Sequence, residues 1–160
     1  MSTKRPGLVA AFAAALAFVT VPGAAQTTPA ATPASGAVNY LPADKVNAAF
    51  AKGLPIVETG TYKVIGGRRD RDGQAEVHAR DTDIMYVIEG TATLVTGGQV
   101  VGGKSTAADE IRGDTITGGD PRPLVKGDVI IIPNGIPHLF KDVKAPFLYY
   151  VVKVTSPGGK

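Results

Sequence analysis

The chain has no cysteine. That excludes a disulfide framework and every thiolate metal site, so a bound metal must use histidine, carboxylate or water. It also excludes a lipid anchor on an N-terminal cysteine. Histidine is nearly absent: His78 and His138 are the only two. No hydrophobic run is long enough for a comfortable membrane span of about 20 apolar residues; the uncharged apolar run from Leu8 to Val21 is short of it. There is no helical repeat, no phosphate-binding Walker loop and no Gly-x-Ser-x-Gly elbow, and the Gly-Gly pairs read as turns because none opens a helix. A strong charge of one sign is missing too. The net charge is +3, and the Arg68-Arg69-Asp70-Arg71-Asp72 segment alternates signs. A nucleic-acid surface wants an unbroken basic stripe, so no nucleic-acid partner is expected.

What is there begins as an exported precursor. Lys4 and Arg5 precede the Leu8–Val21 run, and Pro22-Gly23-Ala24-Ala25 supplies a helix break and small residues for cleavage after Ala25. The expectation is a signal peptide over 1–25, a periplasmic or secreted protein, and no membrane association after cleavage. Removing that segment removes two cations and no acid, leaving 15 basic against 14 acidic residues and a net charge of +1. Residues 26–39 are Thr, Pro, Ala, Ser and Gly with almost nothing to bury, and read as a disordered linker. A single domain over 40–160 follows.

That domain opens with one short helix over Pro42–Gly53. Val46, Ala49 and Phe50 share a face and suit packing on the outside of a sheet. From Ile56 onward the pattern is β. Strands are expected at Tyr62–Ile65, Ala75–Arg80, Asp83–Glu89, Thr91–Thr96, Arg122–Lys126, Val129–Ile132, His138–Asp142 and Phe147–Val154, with an additional strand or hairpin within Glu110–Thr117. Asp83–Glu89 is apolar on both faces and reads as covered on both sides. Short strands with Gly and Pro punctuation mean a sandwich or barrel.

Two stretches carry more than fold. The first runs from Glu76 through His78 and Asp83 to Gly90. The second runs Gly127-Asp128-Val129-Ile130-Ile131-Ile132-Pro133-Asn134-Gly135-Ile136-Pro137-His138. Together they resemble the two motifs of the cupin superfamily. The second motif is matched by Gly127, Pro133, Gly135 and His138, with Asp142 where Asn is usual. The first is matched from its end by Gly90 and His78; Asp83 stands in place of Glu, Glu76 stands at the first His position, and Asp70 in place of the opening Gly. The likeness covers about residues 60–154.

The resemblance implies an all-β fold, a cupin-type double-stranded β-helix (jelly-roll barrel) behind the short N-terminal helix. It implies one divalent metal ion (Fe, Mn, Zn, Ni or Cu) held by Glu76, His78, Asp83 and His138, or by Glu76, His78 and His138 alone as a two-His-one-carboxylate triad. Glu76 and His78 are two apart on a strand and so share a face. Glu76 is also the candidate catalytic base, and Met85, Phe140 and Arg80 are candidate walls of a small-molecule pocket. The expected function is a metal-dependent enzyme on a small organic molecule. Dioxygenase, isomerase, decarboxylase and lyase activities all occur in the family. The alternative is a metal-free cupin that binds a sugar or acid. In that case Glu76 needs Arg80 as its partner, or its pKa rises on burial. Tyr62, Tyr86 and Tyr150 are assigned to pocket or barrel exterior without a choice between them; Lys63 is a weaker candidate for an acidic substrate, and Glu110, Arg112 and Asp114 are candidates for a rim over the mouth, with a solvated face or turn the favoured reading. A homodimer is consistent with the family, with Phe147–Val152 as a contact.

Overall fold

The computed structural model describes residues 36–157. The expected signal peptide over 1–25 and most of the expected linker lie outside the described residues. No helix among the described residues is long and apolar enough to cross a membrane.

One helix, α1 (Ala43–Lys52), is followed by β1 (Pro55–Glu58), β2 (Tyr62–Arg69), β3 (Ala75–His78), β4 (Asp81–Thr96), β5 (Gln99–Val101) and β6 (Lys104–Ala107). Then come β7 (Glu110–Gly113), β8 (Thr115–Thr117), β9 (Asp120–Leu124), β10 (Val129–Ile132) and β11 (His138–Thr155). Helix α1 starts behind Pro42 and stops at Gly53, whose left-handed backbone at φ 67° returns its N–H to the Ala49 carbonyl. It lies on the outside of β2, with Phe50 close against Gly66.

Nine strands form one antiparallel sheet, and β5 and β8 form a separate ribbon. The sheet folds back on itself because its two longest strands each run through both layers. In one layer the C-terminal half of β11 lies between β2 and the N-terminal half of β4, which in turn pairs with β10. In the other, the N-terminal half of β11 lies between β3 and the C-terminal half of β4, which pairs with β9. The segments expected as separate strands on either side of Gly90, and on either side of 143–146, are therefore single bent strands. Gly90 has φ 80°, and a Cβ there would meet the Pro146 carbonyl oxygen at 2.5 Å, so the two bends lie against each other.

The layers close on Met85, Val87, Tyr149 and Val151 from one side and Ala92, Leu94, Leu124 and Phe140 from the other. Each large side chain buried this way contributes about 1.5–3 kcal/mol of transfer free energy. The outer face of β4 departs from the expectation of cover on both sides. Ile84 and Tyr86 are 38% and 48% exposed, and Val129, Ile131 and Tyr150 beside them are exposed as well. The helix packs on β2 and β1, and the outer face of β4 and β10 stays in water, as one face of an antiparallel layer can. Strand β11 is central in its layer and has no free edge.

Candidate metal centre

Three elements bring the chemistry together. Strand β3 presents Glu76 and His78 on one face. His138 opens β11 opposite Glu76 in register. Asp83, at the start of β4, faces inward in phase with Met85 and Val87. The loop of the second motif is fastened to the end of the first: the Gly135 N–H donates to the His78 carbonyl at 2.8 Å, and Asn134 donates to the Ala79 carbonyl at 3.0 Å. This places the two imidazole rings 5.0 Å apart.

Ligand atoms of Glu76, His78 and His138 all lie within 4.8 Å of one another. Oε2 of Glu76 is 3.7 Å from Nε2 of His78 and 4.0 Å from Nε2 of His138. Both rings are held from behind. Nδ1 of His78 is 2.6 Å from a Glu110 carboxylate oxygen, and Nδ1 of His138 is 3.2 Å from the Ile136 carbonyl oxygen. A proton on each Nδ1 satisfies those acceptors and leaves the Nε2 lone pairs facing Glu76. This is the arrangement by which metal-binding histidines are oriented. The donor set, two imidazole nitrogens and one carboxylate oxygen, therefore fits a divalent ion.

Asp83 is in the same chamber but is engaged by a residue the sequence reading missed. Lys153 stands directly across from it in the β4–β11 register. The ammonium donates to both Asp83 oxygens, at 2.7 and 2.9 Å, and to Nε2 of His78 at 2.8 Å. Asp83 itself is 3.5 Å from that nitrogen.

The charges explain the protonation states. Burial works against the Glu76 carboxylate, but the Arg69 and Arg112 guanidinium groups outweigh it and hold its pKa below the ordinary value. Burial likewise opposes the Asp83 charge, and contacts to His78 and Lys153 reverse the balance and lower its pKa. Burial favours neutral His78, yet Asp83 and Glu110 overcome it and raise the pKa; above that pKa the ring is free to accept from Lys153. His138 is shifted down, chiefly by burial and further by the neighbouring His78.

The partners of Glu76 correct one expectation. Arg112 donates to its Oε1 at 2.9 Å and Arg69 reaches the same oxygen at 3.5 Å. Arg80 does not. Strand β3 ends at His78 and the chain bends, so Arg80 leaves the phase of 76 and 78. Its guanidinium donates to the Ser156 carbonyl at 2.8 and 3.0 Å, away from the candidate pocket. Met85 and Phe140 lie in the core one inward step below Asp83 and His138. Phe140 carries the Arg69 guanidinium over its ring at 4.4 Å.

Glu110 and Arg112, weighed as a rim and read by preference as solvated, are part of the centre because β7 pairs with β3 and sets Arg112 against Glu76 and Glu110 against His78. Asp114 lies elsewhere, against Gly102. Tyr62, Tyr86 and Tyr150 are partly exposed, and Lys63 is paired with Glu58 at 3.0 Å.

A two-layer β-barrel with two histidines and a carboxylate converging between its layers defines the class of small jelly-roll barrel proteins. A family model described as Cupin matches residues 42–160, and the chain belongs to the cupin family. The solved structures it is similar to include BH2720 from Bacillus halodurans, at 13% identity and TM-score 0.53, covering 78% of this chain and 87% of that one. Hydroquinone 1,2-dioxygenase from Sphingomonas sp. TTNP3, with 4-hydroxybenzoate bound, is similar at 12% identity and TM-score 0.51, covering 79% and 84%. The hydroquinone 1,2-dioxygenase PnpCD, in complex with Cd2+ and 4-hydroxybenzonitrile, is similar at 14% identity and TM-score 0.50, covering 76% and 82%. These likenesses establish the fold. No curated protein matches the sequence.

Proposed function

We propose that the protein is an exported cupin enzyme that holds one divalent metal ion through Glu76, His78 and His138 and acts on a small organic molecule between the layers of the barrel. The observation that carries this reading is the convergence of two Nε2 atoms and a Glu76 oxygen, with each Nδ1 tied back to an acceptor. Bound there, the ion supplies Lewis acidity and open coordination positions. The chain's own residues do the rest. Arg69 and Arg112 keep Glu76 ionised, as anionic ligand or as general base. Glu110 and the Ile136 carbonyl orient the rings. Lys153 holds Asp83 back, so that Asp83 joins as a fourth ligand only when the ammonium turns away. Export rests on the 1–25 segment. A second copy of the chain packing on the outer face of β10, β4 and β11 belongs to the same proposal, because Val129, Ile131, Ile84, Tyr86 and Tyr150 form an uninterrupted apolar ladder there.

One observation favours a second reading, a metal-free ligand-binding cupin. The Lys153 ammonium already uses the His78 lone pair and neutralises Asp83, as a resident cation would.

Elemental analysis of the natively exported protein, purified without chelators, separates the two. The metalloenzyme reading expects about one metal per chain, lost in Glu76→Ala, His78→Ala and His138→Ala and kept in Asp83→Asn. Absence of metal from the wild type, with the variants still folded, selects the metal-free reading. N-terminal sequencing of the exported chain tests cleavage after Ala25, and light scattering tests the second copy.

A further inference from the structure

On the far side of Glu76 from the histidines lies a cleft of about 590 Å³, open to solvent and lined almost wholly by charge. Four arginines, Arg68, Arg69, Arg71 and Arg112, face three carboxylates there, an excess of one positive charge. Arg68 is consumed by Asp70 in a two-point pair at 2.8 and 3.0 Å. Asp72 is occupied in accepting the Val143 N–H. Arg69, Arg71 and Arg112 remain, and of these Arg69 and Arg112 meet at a single oxygen of Glu76.

Arg69 is set in place as a binding group. Its guanidinium rests on the Phe140 ring, and it fills the space that a Cβ on Gly73 would occupy, 2.6 Å from Nη1. Its Nε is buried and has no hydrogen-bond partner among the described residues. That N–H is shielded from the cleft, where the donors on offer to an arriving acceptor are the Arg69 and Arg112 Nη groups aimed at Glu76. Guanidinium groups match a planar carboxylate through two parallel N–H···O bonds. A surplus of one positive charge suits a monoanion better than phosphate.

We propose that this cleft binds a small organic monocarboxylate, its carboxylate bridging Arg69 and Arg112 and the rest of the molecule reaching past Glu76 toward His78 and His138. Its standing as the substrate rests on the metal-centre reading; its binding does not.

Propanoate titrated into the ¹⁵N-labelled protein, with and without zinc, tests the site, with propanamide as its uncharged counterpart. The Arg69 Nε–H signal should move saturably with propanoate and stay put with propanamide. Arg69→Gln and Arg112→Gln should each weaken propanoate binding about tenfold or more, the scale of one lost charge-assisted hydrogen bond. Arg69→Lys, which keeps the charge and loses the fork, should restore part of that loss. If either Gln variant fails to fold by circular dichroism, the wild-type Nε–H shift and Arg69→Lys decide. Equal binding of propanamide, an unmoved Nε–H, or unchanged affinity in the folded arginine variants overturns the proposal. Inorganic phosphate binding more tightly than propanoate overturns the carboxylate assignment. Zinc binding is followed separately by calorimetry. Propanoate bound without zinc affinity removes the metal centre alone, and zinc bound without propanoate removes this site alone.

Discussion

The ammonium nitrogen of Lys153 lies 2.8 Å from Nε2 of His78, the nitrogen that stands 3.7 Å from Glu76 Oε2. The lysine and a metal ion would call on the same lone pair, so the two cations are in competition. Whichever is present, Asp83 needs a positive partner, because its side chain is buried and held charged.

Lys153→Met removes that partner. A buried ion pair broken from one side costs about 3–5 kcal/mol, since the remaining charge stays desolvated. The metal-free variant should therefore melt well below the wild type. Zinc should raise its midpoint by more than it raises that of the wild type, because the ion then faces no rival and supplies the missing charge. Thermal unfolding with and without zinc gives both numbers. An equal zinc effect on the two proteins would falsify the competition.

Glu110 acts on the centre through the His78 ring. Glu110→Ala leaves Nδ1 without its acceptor 2.6 Å away and frees the ring to rotate. Losing such an orienting partner typically lowers metal affinity 10- to 100-fold. Asp114→Ala, just past the end of β7 and away from the site, should leave affinity unchanged. Competition calorimetry reads both, and matched losses in the two variants would show a general loosening around β7 instead.

The two motif glycines should respond differently to a methyl group. Both have φ 80°. At Gly90 an added Cβ would also run into the Pro146 carbonyl at 2.5 Å and Lys144 carbonyl at 3.0 Å, whereas at Gly135 nothing lies within 4 Å. Gly135→Ala pays backbone strain alone, about 1 kcal/mol. Gly90→Ala adds a clash at the meeting point of the two long strands, for a total of about 2–4 kcal/mol. Urea denaturation of the two variants ranks them, and a Gly135→Ala cost equal to or above that of Gly90→Ala contradicts this account.

How far the sequence could be read follows from which residues carry their own period. Gly127, Pro133, Gly135 and His138 are local in sequence and local in space, so the barrel and its second histidine were legible. Lys153 was not. The stretch from Phe147 to Val152 is apolar on both parities, so nothing local says that Phe147, Tyr149 and Val151 face inward and carry Lys153 in with them. Only the register opposite Asp83 decides it. The pairing of Glu110 with His78 and of Arg112 with Glu76 was hidden for the same reason, because those neighbours on β3 are over thirty positions away. Arg80 failed in the opposite direction. A strand phase was extended two residues past the point where the chain bends. Arg69 sat in a segment whose alternating charges read as a turn, while β2 extends as far as Arg69 and its guanidinium lies over Phe140.

Asp72 gives the fold a pH dependence that is separate from the metal centre. Its carboxylate accepts the Val143 N–H at 3.0 Å, beside the bend of β11 where Asp142 takes a left-handed backbone at φ 52°. That hydrogen bond, foremost among the causes, holds the Asp72 carboxyl below its ordinary pKa. A depressed folded-state pKa means a contribution that is whole above the unfolded carboxylate's pKa and is lost as pH falls through the folded one. Asp72→Asn should therefore lower the urea midpoint at neutral pH, and the gap to the wild type should narrow as the pH drops below about 4. The group is fully exposed, so salt should shrink the difference as well. Because Asn keeps the shape and an oxygen that can accept the Val143 N–H, an absent gap at neutral pH would mean that the charge of Asp72 contributes nothing, and a gap that stays constant into acid would contradict the titration account.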